Sequence, residues 1–151
     1  MSYHLLHLPG PALEGEGVAW RVVTLEPPTP EILYAPTNQA DPLAAWLSQA
    51  LKAPVLEVLN LEDERLLLWA YDRGELVFFY DSNPMHLGCP VCSYANERAK
   101  PETGEVERLA QLFGQPQVAR ELRAWLGRRR GLGFVQEQQR HSEITRLLGL
   151  R

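Results

Sequence analysis

The chain has 151 residues, a formal net charge of −4, 45% hydrophobic and 23% charged residues. That is the balance of a globular protein, and the length fits one domain, 1–151, able to bury a core without staples. No apolar run approaches the roughly 20 residues of a membrane-crossing helix, and no basic segment followed by an apolar one opens the chain, so a cytoplasmic protein without a membrane partner is expected.

Charge is spread unevenly. Of the basic residues, 13 are Arg and 2 are Lys, the bias of a GC-rich coding sequence. Residues 116–151 hold 8 Arg and 3 Glu, a surplus of +5, which leaves −9 on the first 115 residues. A basic tail is one mark of a nucleic-acid binder, but a solvated or intramolecular role for such a tail is commoner.

Residues 1–17 are rich in Gly, Pro and Leu and show no sustained period, so no element is expected there, and His4 and His7 carry little information. Val18, Trp20 and Val22 alternate with Ala19, Arg21 and Val23, the pattern of a first strand over 18–25. Pro27, Pro28, Pro30 and Pro36 then impose a loop. Asp41 is an N-cap with Pro42 at the first helical position, and Leu43, Trp46, Leu47 and Leu51 trace the apolar face of a helix over 42–52, which Pro54 stops.

Three strands follow, about 55–60, 65–71 and 75–80. Their connections are short: the acidic Leu61–Glu64, then Asp72-Arg73-Gly74 with Gly where a hairpin needs positive φ. Short connections make antiparallel neighbours, hence a meander. Leu66, Leu68 and Ala70 share one face and Leu67, Trp69 and Tyr71 the other; Leu76, Phe78 and Tyr80 oppose Val77 and Phe79. Strands apolar on both faces imply cover on both sides of the sheet. A loop from Asp81 to about Pro101 leads to helices over 104–113, 116–127 and 137–148. The fold class is α+β: an antiparallel meander with an N-terminal strand, a preceding helix and about three C-terminal helices packed on the sheet.

The cysteines carry the clearest chemical pattern. Cys89-Pro90-Val91-Cys92 holds both cysteines of the chain, with His86 three residues ahead. A two-residue gap between thiolates suits a zinc knuckle, and His86 would be a third donor. Asp81, Glu97, His141, water or a partner chain would supply the fourth. Redox catalysis fits less well, because the motif does not follow the first strand of a βαβ unit and matches glutaredoxins in letters only. A loop disulfide or two structural thiols stay open beside zinc.

Other features are weaker. His141 lies in register with Ile144 and Leu148, as a partly buried, hydrogen-bonding histidine would. Gly131-Leu132-Gly133-Phe134 completes no phosphate-binding pattern and reads as a turn between helices. Arg128-Arg129-Arg130 ends a helix, where cations complement the dipole. With Arg120 and Arg123 it is the candidate nucleic-acid surface, although Ser142–Leu150 has no recognition helix after it.

Tyr71-Asp72-Arg73-Gly74-Glu75-Leu76-Val77 followed by Ser82-Asn83-Pro84, and Arg140-His141-x-x-Ile144-x-x-x-Leu148-Gly149-Leu150 near the end, resemble a family of small, functionally uncharacterised bacterial proteins. The resemblance covers about half the chain and brings no catalytic residues with it. The cysteine loop departs from the pattern. With no convergent catalytic set, the sequence favours a non-enzymatic domain that binds a protein or small ligand, with homo-oligomerisation open. A zinc- or thiol-dependent site at Cys89 and Cys92, structural zinc before redox, is the alternative. Nucleic-acid binding is the third.

Overall fold

The structure is a computed structural model and describes residues 2–10, 20–26, 42–83, 102–128 and 136–150. Its strands are β1 (Tyr3–Pro9), β2 (Trp20–Thr24), β3 (Val55–Leu61), β4 (Arg65–Asp72), β5 (Glu75–Asp81) and β6 (Glu102–Thr103). Its helices are α1 (Pro42–Leu51), α2 (Val106–Leu112), α3 (Ala119–Gly127) and α4 (Glu137–Leu147), with a 3-10 turn over Pro116–Val118. The strands form one antiparallel sheet in the order β2-β1-β3-β4-β5-β6. This is an α+β fold, as the sequence pattern predicts.

The centre of the sheet is the expected meander. Arg73 and Gly74 both take positive φ, 50° and 87°, as a two-residue hairpin turn requires. At the β3–β4 turn, Glu62 and Asp63 take φ of 55° and 58°, and the Glu64 amide donates to the Leu61 carbonyl at 2.8 Å.

Both faces of the meander are covered. On one, Leu56, Val58, Leu66, Leu68, Ala70, Phe78 and Tyr80 pack against α2, α3 and α4 through Val106, Leu109, Leu122, Leu126, Ile144 and Leu148. On the other, Leu6, Val55, Leu59, Leu67, Trp69, Tyr71 and Phe79 pack with Ala44 of α1. The meander thus lies between two apolar layers, which explains its strands' lack of a polar face, whereas the edge strand β2 is largely exposed.

Besides the short β6 at Glu102–Thr103, which precedes a helix starting at Val106 and not at 104, four details differ from the sequence reading. The first is β1. Residues 3–9 form a strand seated between β2 and β3, with Leu5 opposite Val58 and His7 opposite Leu56. Its polar histidines point to both faces, which disguises the alternation. The second is a register shift in the β4–β5 pairing at Ala70/Tyr71, a bulge that changes the phase of β5. Leu76 consequently packs in the α1 layer and Val77 in the helical layer, the reverse of simple alternation.

The third concerns α1. Leu43, Trp46 and Leu51 are exposed, at 48%, 64% and 42%, while Ala44 and Ser48 are fully buried. Small residues let the helix lie close on the sheet, where the Ser48 hydroxyl accepts from the Gly74 amide at 2.8 Å. Lys52 at φ 49° ends the helix, with the Ala53 amide donating to the Ser48 carbonyl at 3.2 Å. The fourth is the segment from Pro116, whose first turn is 3-10 before α3 begins at Ala119. The expected N-cap Asp41 and the turn at Gly131–Phe134 lie outside the described residues. No helix among the described residues is long and apolar enough to cross a membrane.

Candidate functional site

Alternation along β1 sends Tyr3, Leu5 and His7 to the helical layer and His4 and Leu6 to the α1 layer. Each set meets a polar partner there.

The helical side is organised by α4. Its N-terminus has no capping side chain of its own, but Asp63 reaches over from the β3–β4 turn and accepts from the Gln138 amide at 2.7 Å. Asn60 holds Asp63 in turn, its side-chain oxygen accepting from the Asp63 amide at 2.9 Å. Arg140 anchors the other side of the helix. Fully buried, it pairs with Glu137 at 3.2 Å and donates to the carbonyls of Trp125, Leu126 and Arg128. Those carbonyls lie at the end of α3, where the guanidinium joins the Arg128 amide on the Trp125 carbonyl and the Tyr80 hydroxyl on the Leu126 carbonyl in capping the helix. At the far end Gly149 takes φ 72°, and the Leu150 amide returns to the Thr145 carbonyl at 2.9 Å.

Helix α4 therefore holds His141 in a fixed place over β1. The Tyr3 hydroxyl lies 2.7 Å from His141 Nδ1, and His7 Nε2 lies 3.0 Å from His141 Nε2. Both histidines are buried. Their ring centroids are 5.3 Å apart in an edge arrangement. The excess over the 3.0 Å nitrogen separation is about two ring radii, so the facing nitrogens meet end-on, as a hydrogen bond requires. An imidazole pair can make that bond only if one facing nitrogen carries the proton and the other does not. With both imidazoles neutral, two arrangements satisfy the whole chain. Either Tyr3 donates to His141 and His141 donates to His7, or His7 donates to His141 and His141 donates to Tyr3.

Tyr3 and His141 form the floor of an open cleft of about 490 Å³, lined further by Leu5, Gln136, Gln138, Gln139 and Ser142. Among the described residues, the lining carries carboxamides, hydroxyls and an imidazole, and no carboxylate, ammonium or guanidinium. Its volume falls in the range of about 300–1,000 Å³ usual for small-molecule sites.

The α1 side carries a separate cluster. His4 Nε2 lies 2.7 Å from Glu57 Oε2, and the Tyr71 hydroxyl donates to Glu57 Oε1 at 2.8 Å. All three side chains are buried. Both carboxylate oxygens are thereby engaged, which offsets the cost of burying the group.

Of the residues singled out from sequence, His86, Cys89 and Cys92 lie outside the described residues, as do Glu97, Arg129 and Arg130. Asp81, a proposed fourth zinc ligand, is bound in a two-pronged pair to Arg65, at 3.0 and 2.6 Å. His141, another, is hydrogen-bonded to Tyr3 and His7. Among the described residues, no three His, Cys, Asp or Glu side chains form a group that would hold a metal ion. Arg123 pairs with Glu107, and the Arg128 guanidinium lies 4.0 Å from the centroid of the Trp125 ring. Tyr3, His7 and the glutamines were not singled out by sequence. The seven-residue run Tyr3–Pro9, apolar and aromatic and closed by Pro9-Gly10, was the available signal. Compared with protein-family models, curated proteins and solved structures, the chain matches none.

Proposed function

We propose that the protein binds a small, uncharged, polar ligand in the cleft between β1 and α4. The observation that carries this reading is the Tyr3–His141 pair on the cleft floor, held at 2.7 Å, in a cleft lined also by three glutamines and a serine. Among the described residues such a lining offers donors and acceptors in mixture and no compensating charge, which favours a neutral ligand with both kinds of group over an anion or cation. The buried partners of α4 hold the floor in place before any ligand arrives, which limits the ordering cost of binding.

The test is saturation-transfer NMR with glucose, uridine and acetamide as neutral probes and acetate as an anionic control. A neutral probe is expected to bind and acetate not to. Tyr3→Phe should weaken that binding roughly tenfold, the loss of one good hydrogen bond from the cleft-lining hydroxyl. Equal binding by wild type and Tyr3→Phe, or no binding by any neutral probe, sinks the reading.

A further inference from the structure

We propose that Tyr3, His141 and His7 form a proton relay that makes the cleft an acid–base site for hydrolysis of a neutral acyl compound, an inference that rests on the cleft being a ligand site. Three observations point the same way. The chain of contacts is unbroken, 2.7 Å from Tyr3 to His141 and 3.0 Å from His141 to His7. Its outer members line the cleft, whereas its inner member, His7, is 4% exposed. The cleft is also lined by Gln136, Gln138 and Gln139, residues whose amides are donors of the kind that stabilise a developing oxyanion.

The proton balance closes with water as co-substrate. In the starting arrangement Tyr3 donates to His141 Nδ1, and the His141 Nε2 proton is donated to His7 Nε2. A water in the cleft gives a proton to the Tyr3 oxygen as Tyr3 passes its own to His141 Nδ1. His141 then gives up its Nε2 proton to His7 Nε2. The hydroxide forms the new bond to the acyl carbon, and the carbonyl oxygen takes the negative charge against the carboxamides. When the bond to the leaving oxygen breaks, the proton returns along the same path to that oxygen. His7 is then neutral again, and Tyr3 and His141 hold their original protons. After transfer the hydrogen bonds run as in the second arrangement, with His7 holding the extra proton as an imidazolium. Tyr3 is the catalytic residue in this scheme, and His141 and His7 act through it.

The experiment uses p-nitrophenyl acetate as the hydrolysed probe and 4-nitroacetanilide as a neutral probe that stays intact. His7→Gln keeps a hydrogen-bonding side chain but removes the base. It is expected to lower kcat roughly a hundredfold, the scale of general acid–base catalysis, with KM little changed. Its solvent deuterium isotope effect should shrink, a response that a merely structural His7 would not give. An unchanged rate and isotope effect in His7→Gln, with 4-nitroacetanilide still shifting the Tyr3 and His141 resonances, overturns the relay and leaves the binding reading standing. Absence of those shifts removes the binding reading and the relay with it. Should His7→Gln fail to fold, ring-nitrogen NMR of the wild type decides. One proton shared between the facing Nε2 atoms supports the relay; two protonated or two bare nitrogens overturn it.

Discussion

Asp81 is fully buried and holds the Arg65 guanidinium through two oxygens, with Arg65 itself 7% exposed. Replacing one member of such a pair leaves the other charged, buried and unmatched. Asp81→Ala should therefore cost about 3–5 kcal/mol in urea unfolding, whereas a surface pair of the same residues would cost at most about 1 kcal/mol. Neither partner was recognisable as one from sequence. Asp81 stood at the end of a strand where a loop begins, and Arg65 opened another strand after an acidic turn. Their encounter needs the β4–β5 pairing, which places Asp81 opposite Leu67. His141 was more legible, because its helical register with Ile144 and Leu148 marked it as inward-facing. What lay beneath it was not, since Tyr3 and His7 reach it only once β1 is laid against β3. The Cys89 and Cys92 pair was the most conspicuous chemical pattern in the chain. The polar residues the fold brings together are instead scattered, from Tyr3 to His141, and have no common motif.

Helix α4 depends on groups far from it in sequence. Asp63 accepts from the Gln138 amide at a sequence separation of 75, at a turn where Asp63 has φ 58°. Asp63→Ala removes that acceptor and puts a residue with no polar side chain in the left-handed region. A cost of about 1 kcal/mol from the lost cap is expected, with faster amide exchange at the start of α4. Asp63→Asn keeps an oxygen and tolerates the same φ, so it should restore most of the loss. The acidic connection Leu61–Glu64 was visible in the sequence as a short turn. Its second task, capping a helix, was not, because nothing local links residue 63 to residue 138. The Arg140-His141 pair shows the same division of labour. Arg140 turns away from β1 to cap α3, and His141 turns toward β1 to meet Tyr3. Helix α1 was placed correctly along the chain but rotated, since its larger apolar residues suggested the buried face and close packing chose the small ones.

The uneven charge bears on how the molecule responds to acid. Glu107 of α2 accepts from Arg123 of α3, both well exposed. The Arg123 hydrogen bond, aided by a backbone one, holds the Glu107 carboxyl below the usual carboxylate range. A carboxyl with a lowered pKa in the folded state contributes stability that is fully present above its ordinary pKa. That contribution is lost as pH falls through the lowered value. Melting temperature should thus fall into the acid range, and Glu107→Gln should flatten a small part of that fall, less so at high salt. The α+β class and the meander were legible because they follow from local alternation and short turns. The sheet's full order was not, since β1 and β3 meet across about 50 residues and no local rule pairs them.

The seating of β1 has one more consequence. His4 and His7 are three positions apart, an odd number, so a pleated strand must send them to opposite sides. One histidine serves Glu57 and Tyr71 under α1; the other serves His141 under α4. Inserting a single residue between Leu5 and Leu6 would make that spacing even. A regularly pleated strand so lengthened could not satisfy both clusters: without a bulge to absorb the extra residue, whichever histidine kept its partners, the other would be turned into the wrong layer. Two polar networks that never touch are thus locked in step by the parity of one short strand.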